Sequence, residues 1–195
     1  MMHESGQDGR GADAADAVEG VPDSPSIEHI VRLFVEHWGG MARSWGINAT
    51  MGELFALLYI SGEDWTADDL KERLSISRGN VSMNLRELMA WGVVHKVHRQ
   101  GERREYYRAE SDVWTLFRRI LAERKRRELD PTLALLERTA SMVAGDPGLE
   151  RYRDRVVALT QFFAMIDGLS NRLIELESDE VRGLADLFSP PESGD

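Results

Sequence analysis

A chain of 195 residues, 42% hydrophobic and 30% charged, can bury one core, or two small ones that share a helix, and reads as a globular protein. It has no cysteine, which excludes disulfides, thiolate zinc sites and thiol catalysis, and no apolar run approaches the roughly 18 residues of a membrane span. The net charge of −10 is unevenly spread, because residues 71–127 hold fifteen Lys or Arg against seven Asp or Glu while the remainder is strongly acidic.

Residues 1–24 carry six acids against Arg10 and no apolar periodicity, the composition of a disordered acidic tail. Met1-Met2-His3-Glu4-Ser5 lacks the basic and apolar regions of a secretory leader, so a cytoplasmic protein without a membrane partner is expected. Residues 25–110 read as one unit. From Ser26, apolar residues recur at three- and four-residue steps (Ile27, Ile30, Val31, Phe34, Val35, Trp38, Met41, Ala42, Trp45), one stripe of a helix in which Gly39-Gly40 marks either a weak point or a close contact. A second helix follows Asn48 and ends at Ser61-Gly62-Glu63-Asp64. Thr66 and Asp69 form a variant capping box for a short helix, Ser75-Ile76 turns the chain, and Ser77 caps a helix that runs to Trp91, with Gly92 as its C-terminal glycine. Val93–Arg99 and Arg104–Ala109 alternate as strands joined by Gln100-Gly101-Glu102-Arg103, a hairpin.

Residues 111–189 read as a helical dimerisation region and 190–195 as a second disordered tail. Ser111-Asp112 caps a helix that Asp130-Pro131 breaks, with Asp130 capping the next one. After the turn Gly145-Asp146-Pro147-Gly148, a long helix carries Leu149, Tyr152, Val156, Leu159, Phe163 and Ile166. This 3.5-residue repeat predicts a packing partner, either a second copy or the first helix. A short amphipathic helix is expected over Val181 to Phe188.

The order helix, helix, turn, helix, basic hairpin is a winged helix-turn-helix, so the fold class is mainly α with a small β-hairpin. Such a motif offers its second helix to a major groove. On that helix Val81, Leu85 and Leu88 face inward, which leaves Gly79, Ser82, Met83 and Arg86, with Arg78 and Asn80 at its N-terminal end, as groove-facing candidates. Asn and Arg can read base edges with paired hydrogen bonds, and Met can touch a thymine methyl. In the hairpin, Arg99, Arg103 and Arg104 suit the negative potential of a narrow minor groove. The acidic total does not oppose this, because charges beyond a Debye length of about 8 Å are largely screened. Glu123 to Glu128 encloses four consecutive basic residues, which either add phosphate contacts or border the dimer.

The segment Ser77-Arg78-Gly79-Asn80-Val81-Ser82-Met83-Asn84-Leu85-Arg86-Glu87-Leu88, followed by Trp91-Gly92-Val93-Val94, resembles the recognition helix of the GbsR-type branch of the MarR family. Gly101-Glu102-Arg103-Arg104-Glu105-Tyr106-Tyr107 resembles the wing, with Glu102 where MarR proteins often carry Asp, and the likeness covers roughly residues 26–140. It implies a symmetric homodimer that binds double-stranded DNA at a palindromic operator, a repressor-type transcriptional regulator with small-molecule control in many members. No cofactor is expected. For an effector, Trp38, Trp45, Trp114 and Phe117 are the candidate pocket; core residues are the alternative role for them.

Other classes fit less well. No catalytic signature or phosphate-binding loop is present, so an enzyme is not expected. His95 and His98 sit an odd step apart on a strand and make a poor metal pair, which weakens a metal-responsive regulator. A winged helix used for protein contacts without DNA remains the other alternative.

Overall fold

In the computed structural model, which describes residues 26–177 together with 179, 180 and 183, the second helix is apolar around most of its circumference, Glu53 apart, and must be covered on most sides. This helix, α2 (Ala49–Ser61), starts at Asn48, whose Oδ1 accepts from the Thr50 N–H at 2.9 Å, and ends at Gly62 in the left-handed region. Leu54, Ala56, Leu57 and Leu58 are at most 1% exposed. The first helix, α1 (Ile27–Ser44), starts at Ser26, whose hydroxyl accepts from the His29 N–H, and lies along α2. Two glycines allow the approach. A Cβ on Gly52 would lie 2.6 Å from the Ala42 Cβ and 2.8 Å from the Trp38 carbonyl oxygen, and one on Gly39 would meet Glu53, whereas Gly40 faces open space. The glycine pair therefore divides into one contact residue and one neutral position.

The other covers of α2 come from the helix-turn-helix and the sheet. α3 (Ala67–Leu74) begins with a complete capping box, Asp69 N–H to Thr66 Oγ1 at 3.2 Å and Thr66 N–H to Asp69 Oδ2 at 3.1 Å. Ser75 turns the chain in the left-handed region (φ 53°), and Ser77 caps α4 (Arg78–Ala90). After Gly92 (φ 73°) come β2 (Val94–Val97) and β3 (Tyr106–Ala109). A third strand joins them, since Trp65–Thr66, β1, pairs antiparallel with β3 to give the order β1-β3-β2. Two residues are too few to show an alternating pattern, so β1 was not foreseen. The core joins residues of α1, α2, α3, α4, β2, β3 and the next helix, α5 (Val113–Arg124).

The break expected at Asp130-Pro131 does not occur. α5, capped by Asp112, runs through a π turn (Lys125–Leu129) into α6 (Asp130–Val143). Pro131 has no N–H and its ring would clash with the carbonyl four residues back; widening the preceding turn, with the Asp130 N–H bonded to the Lys125 carbonyl, lets the helix continue. Asp130 thus caps nothing and instead accepts from Lys125 Nζ at 2.6 Å. The turn at 145–148 is present, with the Gly148 N–H on Asp146 Oδ1, and leads into α7 (Glu150–Glu175), which packs on α6.

The expected stripe on α7 divides in two. Phe163 and Ile166 are half-buried with Leu121, Leu129 and Ser170 beside the π turn, and Val156 is half-buried too. Leu159 lies on the other face with Tyr152, Phe162, Met165 and Leu169, all exposed. A helix carrying apolar residues on two faces blurs a single heptad reading. The expected tail of residues 1–24, most of the expected helix from Val181 to Phe188, and residues 190–195 lie outside the described residues. Among the described residues, no helix is long and apolar enough to cross a membrane.

The glycine contact generates a paired test. Gly52→Ala must push α1 off α2 and is expected to lower stability by about 1–3 kcal/mol, as overpacking does. Gly40→Ala, in open space within a helix, is expected to raise it by roughly 0.5–1 kcal/mol. Denaturant unfolding of both variants checks this; equal effects would contradict the contact.

Candidate nucleic-acid interface

α4 is anchored along one side and free along the other. Val81, Leu85 and Leu88 are at most 2% exposed, while Gly79, Ser82, Met83 and Arg86 face solvent. All five sequence-derived side-chain candidates on this helix are therefore at or beside its open face, though three already have partners within the chain. Arg78 pairs with Asp68 of α3 through Nη1, with both side chains more than half exposed. An exposed pair of this kind contributes about 0–1 kcal/mol and yields easily to a phosphate or base. Asn80 is half-buried, and its Oδ1 accepts from Asn84 Nδ2 at 2.7 Å. Arg86 bends back so that Nε donates to the Ser82 carbonyl at 3.2 Å. Gly79 has nothing within 4 Å of a built Cβ, so a surface can approach the backbone there.

The wing sorts its arginines. Asp64, whose side chain is only 5% exposed, sits just before β1 and accepts from Arg108 Nε at 2.6 Å and Arg99 Nη2 at 3.1 Å. The Arg108 hydrogen bond, aided by Arg99 and opposed by burial, holds the Asp64 carboxyl below its ordinary value. Arg99 also lies 4.2 Å over the Tyr106 ring. It thus serves to fasten the wing, whereas Arg104, 70% exposed and 3.8 Å from Glu102, and the exposed Arg103 project from the loop. The Glu102 carboxylate accepts the Tyr106 hydroxyl. Sequence reasoning missed Asp64, since its partners lie 35 and 44 residues away and nothing local marks it.

The basic run, expected to add phosphate contacts or border a dimer, makes ties within the chain. Arg124 donates to the Trp45 carbonyl and pairs with Glu128 at 2.9 Å; Lys125 bridges Asp130 and Asp167 of α7. Arg126 and Arg127 both hold Glu123, and Arg127 reaches on to Glu87 of α4. All four cations make intramolecular ties, because successive residues point around the helix toward different neighbours, and Arg126 and Arg127 stay partly exposed.

Residues 45–105 match the sequence model of the MarR family, a span that begins just before α2 and ends in the wing. The likeness to that family is confined to this segment, which holds α2, α3, α4 and β2. The HTH-type transcriptional repressor OpcR of Bacillus subtilis (strain 168) is 26% identical over 164 residues, 80% of this chain and 88% of that one. The HTH-type transcriptional repressor GbsR of the same organism is 25% identical over 116 residues, 60% of this chain and 64% of that one. A solved structure described as that of a transcriptional regulator shares the fold, with a TM-score of 0.57 at 21% identity over 74% of this chain and 95% of that one.

Behind α4 lies an apolar cavity of about 60 Å³. Trp38 and Trp45 of the expected pocket line it, with Met41, Met51, Phe55 and Trp91. Trp114 and Phe117 do not. α5 turns Ile120 toward the cavity and Leu116 into the core, which leaves Phe117 exposed one residue round the helix. Arg124 lies 4.9 Å over Trp45 and Arg127 5.1 Å over Trp91. Trp91 Nε1 is buried with no hydrogen-bond partner among the described residues.

The Asp64 tie yields a pH-dependent expectation. The folded carboxyl is more acidic than the unfolded one, so its stabilisation is complete above the ordinary carboxylate value of about 3.9 and is lost as pH falls through the folded value. Asp64→Asn is expected to lower Tm by about 2–4 °C at pH 7. The gap from wild type should close in acid. Melting curves between neutral and acid pH measure it, and a gap independent of pH would contradict the tie.

Proposed function

We infer that the chain is a MarR-type transcriptional regulator that binds double-stranded DNA, and we propose that it acts in the cytoplasm as a repressor-type homodimer on a palindromic operator. The observation that carries this is the division of α4 and the wing into anchored and open halves. Core leucines and Asp64 fix the scaffold, while Arg78, Gly79, Ser82, Met83 and Arg86, with Asn80 beside them, face solvent where a major groove would lie, and the exposed Arg103 and Arg104 would meet the flanking minor groove. The two relatives from Bacillus subtilis are named as transcriptional repressors, which supports a regulator in place of an enzyme.

Dimerisation accounts for what a lone chain leaves uncovered. α6 and α7 bury only Val143 and Ser170 among the described residues, while Ile27, Ile30 and Leu33 of α1 and Tyr152, Leu159, Phe162, Met165 and Leu169 of α7 face solvent. A second copy would cover these faces with two-fold symmetry and set the recognition helices about 34–36 Å apart. Operator affinity is then expected to fall steeply with salt, each neutralised phosphate adding about −0.9 to the log–log slope. Arg103→Ala with Arg104→Ala should weaken binding on all sequences and flatten that slope. Leu159→Glu with Phe162→Glu should give a monomer by light scattering and lose the operator. Full affinity in the arginine double variant would contradict the wing contact; a wild-type monomer at micromolar concentration would contradict the dimer.

The aromatic cavity suits an effector. It is smaller than the roughly 150 Å³ that admits benzene, so a ring-sized ligand must push aside Met41 or Met51 and so disturb Leu88 and Trp91 at the end of α4. Arginines already cover Trp45 and Trp91, which favours a flat uncharged compound that accepts from Trp91 Nε1 over a cation. Tryptophan quenching with release of operator DNA is the expected response; quenching without release would return these residues to a purely structural role.

A further inference from the structure

Asn84 is 3% exposed and lies among Val81, Leu85 and Leu88 on the anchored side of α4. A buried primary amide is costly unless its donors are used. Asn84 uses Nδ2 twice on the residue one turn earlier, donating to the Asn80 carbonyl oxygen at 2.9 Å and to Asn80 Oδ1 at 2.7 Å. A backbone carbonyl only accepts, so the first bond fixes which end of the Asn84 amide faces Asn80. The second bond then falls to an acceptor, which places the Asn80 oxygen toward Asn84 and leaves its NH2 group for outside partners. Asn80 stands in the first turn of α4, next to the exposed Gly79 and near Met83.

An asparagine free to turn reads adenine with both ends of its amide, donating to N7 and accepting from N6. With its oxygen turned toward Asn84, Asn80 keeps a second lone pair on that side but presents its NH2 group outward, and so meets a base edge as a donor. We propose that Asn84 is a positioning residue that makes Asn80 a donor-only reader, so that Asn80 selects guanine, whose major-groove edge carries the acceptors N7 and O6, in place of the paired contact to adenine. The proposal rests on the DNA-binding reading above and deepens it to one side chain and one base.

The full chain is first used to select duplexes from a random pool. Failure to enrich any sequence overturns the DNA-binding reading, and this proposal with it. On the enriched operator, Asn80→Ala should abolish the preference at one base pair, which is expected to hold guanine on the contacted strand. Replacing that guanine with 7-deazaguanine should cost the wild-type chain about fivefold to tenfold in affinity, the worth of one hydrogen bond. It should cost Asn80→Ala nothing. Asn84→Leu, which suits the apolar surroundings, should shift the preference at that same base pair toward adenine with other positions unchanged, whereas a merely structural role would weaken all sequences alike. Adenine as the wild-type preference there, no position altered by Asn80→Ala, or an unchanged preference in folded Asn84→Leu overturns the proposal while leaving DNA binding intact. If Asn84→Leu does not fold, the wild-type preference and the 7-deazaguanine loss decide it.

Discussion

Everything outward-facing in this protein depends on the need to cover α2. A helix that is apolar around most of its circumference, Glu53 apart, must be covered on most sides, so α1, α3, α4, the sheet and α5 are drawn around it. That constraint fixes α4 by the face bearing Val81, Leu85 and Leu88 and leaves the opposite face to solvent. The same core holds Val93, Val94, Tyr107 and Ala109, and so sets where the hairpin leaves the domain. A groove-reading face and a wing at a fixed relation to it are thus consequences of packing, with the polar chemistry added at the surface.

Ion pairs then divide the positive charge of the middle of the chain into two groups. Asp64, Glu123, Glu87, Asp130 and Asp167 hold Arg99, Arg108, Arg126, Arg127 and Lys125 within the molecule. Arg103 and Arg104 at the wing tip, and Arg78 with its exposed partner, stay accessible. The held group also joins the parts that a regulator must couple. Lys125 reaches α7 while Arg127, two residues on, reaches α4, so both elements are tied to one short stretch of the helix between them. The aromatic cavity lies at that same end of α4, lined by Leu88 and Trp91.

Much of the scaffold was legible in the sequence, because caps and helical stripes are local signals. Ser26, Asn48, Thr66 with Asp69, Ser77, Asp112 and Gly92 each mark a boundary that the structure places within a residue or two. The inward face of α4 followed directly from its three apolar residues. What escaped was non-local or ambiguous in period. β1 is two residues long and exists through its pairing with β3. Pro131 reads as a stop, yet a π turn absorbs it. Leu159 and Phe163 look like one stripe until α6 and the π turn cover one of them. Asp64, Asn84 and Trp91 gain their roles from partners or a cavity that come together with folding, and Trp114 and Phe117 lose theirs by a rotation of α5 that spacing does not resolve.

Hydroxyl-radical footprinting of the full chain on an operator enriched from a random pool puts the geometry to the most direct test. Two protected backbone segments on one face of the duplex, centred about 10–10.5 base pairs apart and flanked by sugar protection across the minor groove that disappears in the Arg103→Ala, Arg104→Ala variant, are the expected result. A single protected segment, or flanking protection unchanged in that variant, would contradict a two-fold dimer that reads the groove with α4 and grips beside it with the wing.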